Sequence, residues 1–328
     1  MRVLTPLLAL AALALFALSL ATGPGGAVDA GLLRGALAAP ASPEALILFE
    51  IRLPRALLGL MVGASMGLAG AALQGLLRNP LAEPALIGVT ASAALGAVIA
   101  FYFGFAAAFA FALPAGGMAG ALIAILLIYA LAGLSASIHT LILAGVAVNS
   151  IAAALTSLAL NLAPSPFAAA EILFWLLGSL ADRSMEHVRL VLLPVLAGLG
   201  LLAFTGRALD ALTLGEDVAA SLGVNLRLLQ ARIVLGSGLA VGAVTSVVGS
   251  VGFIGLVVPH LLRPLAGQRP GGLLLPSALG GAALALAADL LVRLLSGAQE
   301  LRLGVFTALL GAPFFLWLVL ASRREAAP

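Results

Sequence analysis

Nine aliphatic runs of membrane-crossing length recur along this chain, at residues 3–21, 56–77, 85–105, 118–134, 141–163, 188–205, 233–250, 273–295 and 303–321. About 20 apolar residues in helical form cross the hydrocarbon core, and lipid offers no partner to an unpaired backbone N–H or C=O. The runs are therefore expected to be helices packed on one another. A shorter stretch, "VGFIGLVVPHLLR" at 251–263, is bounded by glycine and Pro264 and reads as a half-helix or re-entrant piece. The expected architecture is an all-α integral membrane protein of about ten transmembrane helices, one polytopic domain over residues 1–328.

Composition supports this. Hydrophobic residues make up 63% of the chain and charged residues 9%, where a soluble domain carries about 25% charged. A net charge of +3 spread over many spans makes no basic stripe, so nucleic acid is set aside and the lipid bilayer is the expected environment. The first run follows Arg2 and exceeds the about 7–15 apolar residues of a signal peptide, so it reads as an uncleaved span.

Two missing residue types exclude chemistry. With no cysteine there is no disulfide, thiolate metal site or cysteine nucleophile. With no lysine there is no Walker-type phosphate loop and no Schiff base. All sixteen basic residues are arginine, which stays charged and must find water, a headgroup or an acid.

Three polar segments separate the runs: 22–51, 164–187 and 206–232. The second reads as holding a short interfacial helix with Trp175 at headgroup depth. With ten crossings and an inner N-terminus, nine arginines (Arg2, Arg78, Arg207, Arg227, Arg232, Arg263, Arg269, Arg323, Arg324) fall inside. Seven (Arg34, Arg52, Arg55, Arg183, Arg189, Arg293, Arg302) fall outside, a weak bias in the expected direction. Both termini are then cytoplasmic, 22–51 and 164–187 are outer loops, and Arg52 and Arg55 face outward. "GLMVGASMGLAGAALQGLLRNPL" in the second span loosely echoes "GLAVGAVTSVVGSVGFIGLVVPH" further on, running the other way across the membrane. Inverted repeats of this kind are a transporter habit.

Individual residues divide between scaffold and site. Gly59, Gly63 and Gly67 form a stripe suited to close helix packing, with a backbone-lined conduit as the alternative. Asp289 and Arg293, four apart, neutralise each other and offset insertion costs of about 2.5–3.5 kcal/mol each. A proton-relay Asp289 is the alternative, and a carboxylate with an adjacent guanidinium suits it poorly. His139, His187 and His260 lack metal-ligand spacing. Asn149, Ser150, Thr156, Ser157 and Asn161 make the fifth run the most polar, a pathway-lining candidate or a source of interhelical hydrogen bonds. "LTLGEDVAASLGVNL" at 212–226 reads as a short helix broken in at Gly215, with Glu216 and Asp217 in its first turn, and ended at Gly223. Leu212, Leu214, Leu222 and Leu226 are many leucines for a solvated loop and suggest a covering partner.

Four stretches together resemble the permease subunits of type II ATP-binding-cassette importers, the FecCD-like family that carries iron–siderophore complexes, haem and cobalamin. They are "IRLPRALLGLMVGASMGLAGAALQGLLRNPLAEPALIGV" (51–89), "LTLGEDVAASLGVNL" (212–226), "GFIGLVVPHLLR" (252–263) and "ELRLGVFTALLGAPFFLWLV" (300–319). The resemblance implies ten spans in the bacterial inner membrane, a second permease copy, a soluble ATPase dimer that supplies ATP and Mg, and a periplasmic substrate-binding protein. It implies no cofactor on this chain and no catalytic residue. Arg52, Arg55 and Arg293 match arginines that meet acidic residues of the binding protein. Leu214, Gly215, Glu216, Asp217, Leu222 and Gly223 match the coupling helix that seats on the ATPase. Asn79 and Leu81 match an inner gate, with His139 at a second gate element, and Asn149 and Ser150 lie on the pathway helix. The segment "GSLADRSMEHVR" (178–189) varies among members and does not name the cargo. An iron chelate, siderophore or haem, is the expected cargo and cobalamin the alternative. An ion-coupled secondary transporter would want a free midplane carboxylate, and an intramembrane enzyme a nucleophile–base pair or metal cluster.

Overall fold

The computed structural model describes residues 3–23, 29, 31, 34–36, 39, 42–105, 109, 111–133, 137–267, 269–296 and 301–325. Arg2 and parts of the segment 22–51 lie outside the described residues, as do the side chains of Arg323 and Arg324. The helices are α1 (Leu4–Ala21), α2 (Pro43–Leu77), α3 (Val89–Tyr102), α4 (Ala112–Ala132) and α5 (Ile138–Asn161). There follow α6 (Pro166–Leu176), α7 (Met185–Ala203), α8 (Gly206–Leu212), α9 (Glu216–Ser221), α10 (Leu226–Val248), α11 (Ile254–Ala266), α12 (Pro270–Leu295) and α13 (Leu303–Glu325). Seven of them, α1, α2, α4, α5, α7, α10 and α12, are long and apolar enough to cross a membrane, and α3, α6, α11 and α13 are shorter apolar helices.

Helix starts carry local signals. Ser42, Ser137 and Ser165 accept from the N–H three residues on, as does Asn225 ahead of α10. Ser184 and His187 form a reciprocal capping box on α7. Several elements begin earlier than the apolar runs because polar first turns remain helical. The largest difference is at α2, which starts at Pro43, inside the segment read as an outer loop, rather than near Ala56. Pro54 has no N–H, and the preceding stretch Ile47–Arg52 is π-helical, with the Leu53 N–H reaching back to Leu48. "RLPR" therefore lies within a helix and not at its mouth. Likewise Arg227 and Arg232, read as loop, stand on α10, and α8 occupies the start of 206–232.

α2 and α10 are buried along most of their length, and α12 lies antiparallel against α2. The stripe on α2 makes this possible. A Cβ at Gly63 would overlap the Gly281 carbonyl, and one at Gly67 the Ser277 carbonyl, so these backbones touch directly. Gly70 meets Gly255 of α11 in the same way, while Gly96 and Gly120 bring α3 and α4 together. In lipid, where apolar side chains gain little by leaving their solvent, such dispersion contacts hold helices together. The scaffold reading of the glycines is the observed one.

Candidate functional site

Two polar clusters occupy opposite ends of the α2–α12 pair. At the first, Arg55 donates to both carboxylate oxygens of Asp289, with bonds of 2.8 to 3.1 Å. Arg293 donates to the same carboxylate from one turn along α12. Its remaining donors reach the Ser19 and Thr22 carbonyls, at 3.0 and 3.1 Å, and the Ser19 hydroxyl at 2.8 Å. Arg52 donates to the Leu20 carbonyl at 2.9 Å. These carbonyls close the C-terminal end of α1, where helix dipoles favour cations. α1 has no basic residue in its own last turn, and α2 and α12 supply the charge instead. The first helix is thus stapled into the bundle.

Arg52 and Arg293 are 7% and 6% exposed and turn into the protein. Arg55 alone of the three keeps a side chain 16% exposed, and it too is paired. Asp289 is buried between two guanidiniums, where the sequence showed only Arg293. Lone opposite charges on two different spans were the available signal for the Arg55 partner.

At the other end, Gln74 donates to the Gly255 and Leu256 carbonyls and accepts from Arg263 at 2.6 Å. Asp210 accepts from the Gly271 N–H at 2.8 Å, capping α12 from α8. Arg78, which ends α2 in the left-handed conformation, stands 3.9 Å from Glu216. None of these pairs was legible from spacing.

Glu216 and Asp217 occupy the first turn of α9, which Gly215 and Gly223 flank with positive φ. Leu214 and Leu222 are 63% and 64% exposed, with Val218 exposed between them. Leu212 is wholly buried and Leu226 partly so, and these two leave the exposed set. The short helix is as expected, with its apolar face narrower.

The Asn79 side chain accepts from the Leu81 N–H at 2.9 Å, making a local turn after α2. Three residues past Leu81 the chain enters a short 3-10 turn, Pro84–Ile87, that packs Ile87 on α5. Gly88 takes φ 74° within reach of the Asn149 N–H, leaving no room for a side chain. The turn carrying Asn79 and Leu81 is thereby tied to the helix carrying Asn149 and Ser150. His139 is exposed at the start of α5. Ser150, Thr156 and Ser157 donate to carbonyls four residues back on their own helix. Burial raises the carboxyl of Glu83 in the turn, and lowers the Arg183 guanidinium between α6 and α7.

The chain matches the model of the FecCD transport family from residue 7 to 321. It belongs to the FecCD transport family. A relative of this FecCD chain, the uncharacterized ABC transporter permease YvrB of Bacillus subtilis (strain 168), is 41% identical over 283 residues. That alignment covers 85% of this chain and 80% of YvrB. The vitamin B12 import permease BtuC of Salmonella typhi is 40% identical over 282 residues, 85% of each chain. A solved structure described as an inward-facing, metal-chelate type ABC transporter superposes with a TM-score of 0.86 at 31% identity. It covers 98% of the FecCD chain and all of its own.

Proposed function

We propose that the chain is the permease subunit of an ATP-driven importer that moves a metal chelate across the bacterial inner membrane by alternating access. The observation that carries this is the short helix Glu216–Ser221 with Leu214 and Leu222 standing out from it. An apolar face of this kind wants a protein cover, and a soluble ATPase dimer is the proposed occupant. The chain lacks lysine for a phosphate loop, so ATP and Mg are assigned to that partner. In this reading both termini are cytoplasmic, α3, α11 and α13 complete ten crossings, and a second copy of the chain completes the pathway beside α5.

The periplasmic binding protein is proposed to dock where Arg52, Arg55 and Arg293 gather. Three guanidiniums gather at this end of the α2–α12 pair, and guanidiniums suit carboxylates of a partner. Arg55 is the proposed direct contact, and Arg52 and Arg293 hold the rim. Asn79, Leu81 and His139 are assigned to inner gating, and Asn149 and Ser150 to the pathway.

For cargo, the family resemblance favours an iron chelate, siderophore or haem. The 40% identity to vitamin B12 permeases favours cobalamin as the second reading. The test is to purify the tagged chain from its native membrane in mild detergent. A soluble ATPase should accompany it in equal amount, and vesicles holding the complex should take up a chelate only with ATP and binding protein. A chain that emerges alone and transports unaided overturns the proposal.

A further inference from the structure

A cavity of about 250 Å³ opens at the coupling end of the α2–α12 pair. Gln74 and Arg78 of α2, Thr213 beside α9, Arg263 of α11 and Arg269 just before α12 line it. We propose that this cavity binds a phosphate group, supplied by the headgroup of an anionic phospholipid or by free phosphate.

The charge inventory carries the inference. Among the described residues, three guanidiniums border the cavity and no carboxylate does. The nearby acids are committed elsewhere: Asp210 to the Gly271 N–H at 2.8 Å, and Glu216 to a 3.9 Å pair with Arg78 in which both side chains are about half exposed. Asp217 stands in the first turn of α9 and does not border the cavity. So loose a pair cancels little of the field.

Orientation carries it further. Gln74 gives its N–H groups to the Gly255 and Leu256 carbonyls, which turns its oxygen toward Arg263. Arg263 is held in place by that bond, and its enclosed Nε–H meets no acceptor among the described residues. A buried donor without an acceptor costs about 1–3 kcal/mol, more when charged, and an anion would remove that cost.

The ligand chemistry follows. Guanidinium forks bind phosphate oxygens in pairs, and three forks offer more donors than a carboxylate accepts. A water occupies about 30 Å³ of liquid, so the cavity takes a phosphate with several waters. The site lies where α2 ends and α12 begins, and basic pockets between spanning helices take lipid headgroups.

The test uses the purified complex of this chain with its ATPase, stripped of lipid. Native mass spectrometry follows binding of phosphatidylglycerol against phosphatidylcholine. Thermal unfolding follows added inorganic phosphate against chloride at equal ionic strength. The double variant R78Q/R269Q alters exposed cavity residues, and R207Q removes one exposed charge on α8 outside the cavity. Phosphatidylglycerol binding about tenfold weaker in the double variant, and intact in R207Q, supports the site with lipid as its source. Stabilisation by inorganic phosphate that disappears only in the double variant supports it with free phosphate as the source. If neither changes, or if R207Q weakens binding equally, the proposal is overturned. A double variant that sheds the ATPase while both anions act as before also overturns it, in favour of a protein carboxylate.

Discussion

Arg55 and Asp289 stand 234 positions apart in the chain and are joined by three hydrogen bonds. With Arg293 closing on the same carboxylate, one acid serves two guanidiniums on two antiparallel helices. Breaking such a group is costly because the members left behind stay buried and charged. Asp289→Asn should lose about 3–5 kcal/mol of stability, read from unfolding in detergent. Arg55→Gln should lose less, since Asp289 keeps Arg293. Equal losses would refute the shared-carboxylate account.

The glycine contacts make a second prediction. Gly63→Ala or Gly67→Ala drives a methyl group into a facing carbonyl, so α2 and α12 must separate. Overpacking of this kind costs about 1–3 kcal/mol or more. Gly200→Ala, with open space around it, should be neutral or stabilising by up to about 1 kcal/mol. Thermal unfolding of the three purified variants gives the order.

On α9 the expected effects split between binding and folding. Leu214→Asp and Leu222→Asp alter exposed positions and should leave the permease within about 0.5 kcal/mol of its stability. Both should reduce the ATPase recovered with the tagged chain. Leu212→Asp, wholly buried, should unfold the chain's own packing instead. ATPase recovery unchanged by all three would remove α9 as the coupling element.

Glu83 supplies a pH dependence. Burial raises its carboxyl above the usual 4.5, so the folded chain holds this proton more tightly than the unfolded one. Its contribution is fully present below 4.5 and is lost as pH rises through the raised value. Glu83→Gln, which cannot ionise, should gain stability over the parent as pH rises from 4 toward 8, and match it at the acid end. Melting curves across that range measure it.

Local signals made the helices readable: apolar runs and the glycines around Glu216 and Asp217. The start of α2 was hidden because Pro54 ordinarily ends or begins a helix, and a π-turn lets this one continue. Among site residues, the i, i+4 pair of Asp289 and Arg293 is written in the spacing, whereas Arg55 reaches Asp289 only once α2 and α12 run antiparallel. For the same reason the bond from Arg52 to the Leu20 carbonyl is hidden in the sequence. Leu20 and Thr22 take part through carbonyls, which no side-chain pattern reports.

The direct backbone contact of Gly63 and Gly67 with α12 has a mechanical consequence. Side chains between helices act as a compliant layer that rotamer changes can absorb, and here that layer is missing at the middle of the pair. The two helices form a stiff strut with the Arg55–Asp289 staple at one tip and the Gln74–Arg263 joint at the other. A push delivered at one tip is not dissipated along the way. It emerges at the far face as tilt.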